Sequence, residues 1–395
     1  MGLNDTPASE RLHIAFFGRR NAGKSSLVNA LTGQDMSVVS DTAGTTTDPV
    51  KKTMEILPLG PVVIIDTPGF DDEGKLGKLR VEKTNEVLEK TDIAVLVIDS
   101  SRGSGNCEAE LEEIFKEKKI PYMRVYNKND LTEAELKAEN ALCVSSKTLE
   151  GIDEFKNRLS QMKKEAGNSR PLVSDLVKKG DKVILVIPID ESAPKGRLIL
   201  PQQMVIRDLL EAGAVSISVK ETELEETLKS MPDAPKLVIT DSQAFGMVMK
   251  IVPESVALTS FSILMARYKG TLDTQIKGIE SLKNLKGGEK ILISEGCTHK
   301  RQCKDIGTVK LPGWIRDFTG KDFIFETSSG GTFPKDLKQY ALIVHCGGCM
   351  LNEKEMQSRM KRAVSEEVPF TNYGTLIASV NGILSRALQP LNKIS

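Results

Sequence analysis

Net charge is what this sequence most completely lacks: Lys plus Arg and Asp plus Glu each number 54 in 395 residues. Without a basic excess there is no long-range attraction to nucleic acid or to an anionic membrane, so neither is expected as a partner. No run approaches the roughly 18 to 20 apolar residues of a membrane span, and the polar start MGLNDTPASE lacks the basic-then-apolar order of a signal peptide. Six cysteines in a chain this long exclude a disulfide-stapled scaffold and suit a reducing compartment, so the expected location is cytoplasmic. Aromatics, at 5%, are too sparse to suggest an RNA-stacking surface.

The scarce residues are concentrated. Cys297-Thr298-His299 and His345-Cys346-Gly347-Gly348-Cys349 hold three of the six cysteines and two of the three histidines. Thiolate and imidazole donors hold zinc or iron-sulfur clusters. Cys-x-His is a tight first pair for zinc, whereas Gly347-Gly348 would let backbone amides approach sulfur as clusters favour; from the residues alone both metals stay open. The apolar runs EKILISEG and LKQYALIV read as strands ending at the two motifs, and that edge of an open α/β sheet is where ligands bind. The third histidine, His13, sits in a strand-like run and reads as a packed or surface residue.

At the other end, RLHIAFF runs into Gly18-Arg19-Arg20-Asn21-Ala22-Gly23-Lys24-Ser25 and then the helical SLVNALTG. This is G-x-x-x-x-G-K-S in its required strand-loop-helix setting. Backbone amides from Gly18 through Ala22, Gly23 and Ser26 would wrap the phosphates, Lys24 would reach β and γ, and Ser25 would hold Mg²⁺. Asp66-Thr67-Pro68-Gly69 ends the strand VVIID, where Asp66 can hold Mg²⁺ through water and the Gly69 amide can meet the γ-phosphate. Asn127-Lys128-Asn129-Asp130 ends IPYMRVY, with Asp130 offering two acceptor oxygens to guanine, and Ser145-Ser146-Lys147 follows ALCV. Four such elements, each after a strand, predict a doubly wound GTPase domain over residues 1–168.

Beyond it, KKEAGNSRPLVSDLVKKGD marks a boundary. A middle α/β domain over 175–270, with no constellation that carries chemistry, and a metal-binding domain over 271–395 are expected, each with a parallel sheet. In the middle domain QQMVIRDLLEAG, ETELEETLKSM and the apolar stretch near SVALTSFSILMARY read as helices, AVSISVK and PKLVITD as strands; an exposed apolar face would favour homodimerisation.

The front third resembles the Era, MnmE and EngA branch of GTPases. The resemblance makes Thr46, within Gly44-Thr45-Thr46-Thr47-Asp48, the switch threonine that holds Mg²⁺, and Asn21 the asparagine that helps hold K⁺ in potassium-activated members. Catalysis then rests on Lys24, Thr46 and Gly69. Phe70 stands where Ras-like enzymes orient water with glutamine, so unaided hydrolysis is expected to be slow; Asp71 and Asp72 read as solvated loop charges. With its rear motifs, the whole chain resembles the hydrogenase maturation GTPase family HydF. That resemblance implies a 4Fe-4S cluster on Cys297, Cys346 and Cys349, with His299 and His345 as fourth ligand or support; Glu295, Glu326, Cys303 and Asp305 lie nearby. It also implies a transient di-iron precursor as cargo, GTP or GDP with Mg²⁺ and K⁺ as cofactors, apo FeFe-hydrogenase and radical-SAM maturation enzymes as partners, and a homodimer or higher homo-oligomer. A zinc-stabilised regulatory GTPase, or one for tRNA modification or ribosome assembly, is the alternative.

Overall fold

Uninterrupted runs of Val, Ile, Leu and Phe become parallel strands buried on both faces. The computed structural model describes residues 6–33, 50–69, 83–132, 140–166, 170–189, 198–296, 306–330 and 333–392. They fall into two compact units that divide after residue 168. The first carries a six-stranded sheet of β1 (Leu12–Phe17), β2 (Val50–Ile56), β3 (Gly60–Asp66), β4 (Ile93–Asp99), β5 (Tyr122–Asn127) and β6 (Ala141–Cys143), ordered β2-β3-β1-β4-β5-β6. Only β2 runs antiparallel. Alternate residues of β1 serve opposite faces: Ile14 and Phe16 pack with Leu27 and Phe155, Ala15 and Phe17 with Leu111 and Phe115. This is the doubly wound architecture that the sequence predicts.

The second unit holds two all-parallel four-stranded sheets. One comprises β7 (Lys182–Val186), β8 (Val215–Val219), β9 (Leu237–Thr240) and β10 (Ala257–Ser260), ordered β10-β9-β7-β8; the other comprises β11 (Lys290–Glu295), β12 (Ile324–Ser329), β13 (Leu342–His345) and β14 (Phe370–Asn372), ordered β12-β11-β13-β14. With the strands of each sheet ranked in chain order, both sheets run fourth, third, first, second, read from β10 and from β14. Register agrees: Lys182 pairs with Val215 and Val186 with Thr240, as Lys290 pairs with Ile324 and Ser294 with His345. The repeats interlock. The helix Leu272–Ser281 lies on β14, where Thr371 Oγ1 donates to Gln275 O at 3.0 Å. Reciprocally, Arg386 of the helix Leu384–Leu388 donates to Val252 O at 2.9 Å, just ahead of β10. Ile184, Leu258, Ile293 and Leu376 accordingly share one apolar cluster that spans both sheets.

One expectation is corrected here. The stretch near SVALTSFSILMARY is not a single helix: Ala257–Ser260 is strand β10 and only Phe261–Tyr268 is helical. The Ser260 side chain accepts from Ile263 N–H, starting the helix where the strand ends. Leu258, Phe261, Leu264 and Met265 are all buried core. No helix among the described residues is long and apolar enough to cross a membrane.

Candidate functional site

In the first unit the motifs converge on the loop between β1 and the helix Lys24–Thr32. The loop can be tight only with glycine at its ends. Gly18 (φ +142°) would place a Cβ 2.2 Å from Val97 O, and Gly23 (φ +89°) would place one 2.2 Å from Asn127 Nδ2. Asn21, exposed, is also left-handed at φ 62°, a conformation that asparagine tolerates better than most residues.

Among the described residues Lys24, Asn127 and Gly69 meet this loop, and Ser146 joins it through Asn127. Lys24 Nζ, buried, donates to the carbonyls of Gly18 (3.0 Å) and Arg19 (2.8 Å). Asn127 Nδ2 donates to Ala22 O and Gly23 O at 3.3 Å, and its Oδ1 accepts from Ser146 N–H at 3.0 Å. Ser145 Oγ donates to Asp130 Oδ1 at 2.7 Å and accepts from Lys147 N–H at 3.3 Å. Gly69 lies so close that a Cβ would sit 2.7 Å from Arg20 N. Ser26 is exposed in the helix's first turn.

The two residues expected to hold Mg²⁺ are also brought together. Ser25 Oγ donates to Asp66 Oδ2 at 2.5 Å, while Asp66 Oδ1 is buried and without a hydrogen bond. Burial pushes the Asp66 carboxyl up, against the opposing pull of Ser25 and Lys24. A buried carboxylate oxygen with no donor fits a cation carried in with the phosphates. Thr46, Phe70, Asp71 and Asp72 lie outside the described residues.

Sequence reasoning missed Asp99 at the end of β4. It pairs with Lys128 Nζ at 2.6 Å, and the same ammonium donates to Asn21 O at 2.8 Å. Burial opposes its charge, but the bonds from Lys128 and Ser101 hold its carboxyl below the usual range. The available signal was its place at the carboxyl end of a central strand.

In the second unit the two motif-bearing strands, β11 and β13, are hydrogen-bonded neighbours with Ser294 opposite His345. Both ends therefore open on one edge, as the sequence predicts. Cys346 N–H donates to Ser294 O at 2.8 Å, and Cys346 Sγ accepts from Gly296 N–H (3.1 Å) and Gly348 N–H (3.4 Å). Both donors are closely packed: a Cβ on Gly296 would meet the Leu351 side chain at 2.7 Å, and Gly348 is left-handed at φ +61° with a Cβ position 2.4 Å from Met356 Sδ. Burial pushes the thiols of Cys346 and Cys349 up, and at Cys349 the Lys269 ammonium opposes that rise. Amide donors aimed at a buried sulfur are what a thiolate bound to an iron-sulfur cluster takes, so the described donors fit the group. Cys297, His299, Cys303 and Asp305 lie outside the described residues; among the described residues no three His, Cys, Asp or Glu side chains group as metal ligands.

His345 is fully buried, with both ring nitrogens engaged. Nδ1 lies 2.8 Å from Cys346 O and Nε2 3.1 Å from Arg359 Nη1. Because guanidinium only donates, Nε2 accepts and Nδ1 carries the proton. Burial, then Arg359, holds this imidazole down at about 3. Arg359 also donates to Glu355 at 2.8 Å and Gly330 O at 2.9 Å, and its Glu-x-x-x-Arg spacing was the unread signal. Glu295 accepts from Tyr373 OH at 3.2 Å; Glu326 is held by Lys290 at 2.7 Å and Tyr340 at 2.8 Å.

Comparison with known proteins adds three family matches: "Hydrogen maturase F tetramerization domain" over residues 273–390, "Hydrogen maturase F dimerization domain" over 172–270, and "50S ribosome-binding GTPase" over 13–128. Among curated relatives, the tRNA modification GTPase MnmE of Chromobacterium violaceum is 37% identical over 161 residues, 39% of this chain and 35% of that protein. GTPase Der of Wolinella succinogenes is 38% identical over 133 residues, covering 33% and 28%. The chain thus spans about a third of the length of the curated relatives that it matches. A solved structure of Aquifex aeolicus Era aligns at 20% identity with a TM-score of 0.35, covering 53% of this chain and 92% of that one.

Proposed function

Because the chain belongs to the hydrogen maturase F family, we propose that it is a GTP-binding, slowly GTP-hydrolysing scaffold that holds a 4Fe-4S cluster and carries a di-iron unit to apo FeFe-hydrogenase. The observation that carries this reading is the Cys346 sulfur just past the end of β13, which accepts from the amides of Gly348 and of Gly296, the residue that follows β11 and precedes Cys297 in the sequence. Cys297, Cys346 and Cys349 are its cluster ligands. His345, with both nitrogens engaged, supports the loop and leaves the fourth position to another donor, His299 among them. When bound, the cluster would supply an iron site for the CO- and CN-bearing di-iron cargo, and radical-SAM maturation enzymes would do the chemistry on that cargo.

At the nucleotide end, Gly18 to Ser26 cradle the phosphates, Lys24 neutralises developing charge, and Ser25 and Thr46 hold Mg²⁺. Asp66 orients that shell, Asn21 holds K⁺, and Asn127, Lys128, Asp130 and Ser145 to Lys147 frame guanine. Phe70 has no group to orient water, so turnover is slow without K⁺ or a partner. The division 1–168, 175–270 and 271–395 assigns GTPase, dimerising and cluster-binding roles, and the dimerisation and tetramerisation matches support homo-oligomers.

Anaerobic purification tests the reading. A brown protein with bound iron and sulfide is expected, and Cys346→Ser should abolish the cluster absorbance while GTP hydrolysis persists. A colourless protein with one zinc per chain would make this a zinc-stabilised regulatory GTPase instead.

A further inference from the structure

The repeat in the second unit provides an internal control for a residue outside both metal motifs. Val256-Ala-Leu-Thr-Ser-Phe-Ser-Ile-Leu-Met-Ala-Arg-Tyr-Lys-Gly-Thr-Leu272 aligns without a gap with Val368-Pro-Phe-Thr-Asn-Tyr-Gly-Thr-Leu-Ile-Ala-Ser-Val-Asn-Gly-Ile-Leu384. The backbones agree bond for bond at the helix end. Lys269 N–H donates to Met265 O, Gly270 to Arg267 O and Thr271 to Ala266 O; Asn381 donates to Ile377 O, Gly382 to Ser379 O and Ile383 to Ala378 O. Gly270 and Gly382 have φ of 65° and 70°. Lys269 and Asn381 are therefore the same position in the two repeats.

Their surroundings are also reciprocal. Asn381 Oδ1 faces Gly246, in the helix that follows β9, and its Nδ2 is retained locally by Ile377 O at 2.8 Å. Lys269 reaches instead into the loop that follows β13. It is 2% exposed, and Nζ donates to Gly348 O at 2.5 Å and Leu351 O at 2.8 Å, on either side of Cys349. In the first repeat the strand-end position equivalent to Cys346 is Asp241, and neither Asp241 to Ala244 nor Ile187 to Ile189 contains a cysteine. So a short neutral side chain satisfies the fold where there is no cysteine loop, and a buried ammonium, which is unfavourable to desolvate, stands only where there is one.

Taking the cluster reading above as its basis, we propose that Lys269 is a positioning residue for the cluster loop, contributed by the other repeat. Its ammonium gathers the Gly348 and Leu351 carbonyls, leaving the amides free for sulfur, and puts a fixed positive charge beside the Cys346–Cys349 turn. A 4Fe-4S core on three thiolates is anionic and becomes more so on reduction, so this charge favours the reduced cluster and raises its potential.

The test is an EPR-monitored redox titration of the full-length, anaerobically purified protein. Lys269→Met is expected to lower the reduced-to-oxidised ratio about tenfold at the wild-type midpoint, a fall of about 59 mV for a one-electron couple. Lys269→Arg should restore most of it. Should Lys269→Met misfold or lose iron, Lys269→Gln, which keeps N–H donors for the two carbonyls but no charge, carries the measurement. An unchanged midpoint in the neutral variant, or an Arg variant shifted as far as it, overturns the proposal. A wild-type protein without iron and sulfide overturns the scaffold reading itself, and this inference with it.

Discussion

Individual residues at the nucleotide loop work through backbone freedom as much as through side chains. Asn21 combines a left-handed backbone with a carbonyl bonded to Lys128, so its substitution tests two roles at once. Alanine at that φ costs about 1–2 kcal/mol; glycine removes the side chain without the strain. Asn21→Gly is expected to retain GTP hydrolysis in Na⁺ but lose the proposed stimulation by K⁺, compared directly as rates in the two salts. Stimulation equal to wild type would assign Asn21 only its left-handed turn. Much of this site was legible residue by residue, because phosphate, Mg²⁺ and guanine dictate side-chain types at fixed places after strands. Asp99 was not, because its role is to hold Lys128, and nothing in a motif names the partner of a motif residue.

At the scale of elements, the second unit depends on helices that cover the sheet of the opposite repeat. The Leu272–Ser281 helix approaches β14 so closely that a Cβ on Gly278 would lie 2.1 Å from Phe370 O, a backbone atom with little room to yield. Gly278→Ala should therefore lower stability despite alanine's better helix propensity, by about 1–3 kcal/mol. The single tryptophan, Trp314, lies in this unit, so its fluorescence during denaturation reports it. An unchanged midpoint would mean that the helix moves away freely. Element boundaries were less readable than motifs. VALTSFSILMARY is predominantly apolar and holds no glycine or proline, and such continuity cannot distinguish a buried strand followed by a buried helix from one helix. The strand Ile324–Ser329 was likewise unread, since its edge position leaves Ile324 exposed and the hydrophobic pattern weak.

For the whole molecule, the proposed union of a GTPase with a cluster scaffold carries the expectation that nucleotide state controls partner exchange. The segment around Thr46 and the loop after Gly69 are where γ-phosphate contacts would reorder the chain. Dissociation of the proposed partners, a radical-SAM maturation enzyme or apo-hydrogenase, is expected to differ between GTP, GDP and nucleotide-free protein, measurable by surface-immobilised kinetics. Identical rates in all three would refute this coupling.

What the sequence determined by itself is which residue types stand at each strand end: the Gly-x-x-x-x-Gly-Lys-Ser loop, Asp66, Asp130 and the two cysteine motifs. These need particular atoms at short separations along the chain, so they leave a local signature. What only the tertiary structure decided is which distant residues complete those sites. That Gly296 donates to Cys346, that Arg359 occupies His345 Nε2, and that Lys269 enters the cysteine loop all depend on β11 lying beside β13 and on two diverged repeats interlocking. The repeat itself, obvious in strand order and hydrogen bonding, is faint in sequence, because packing preserves volume, register and turn conformation while allowing residue identity to drift.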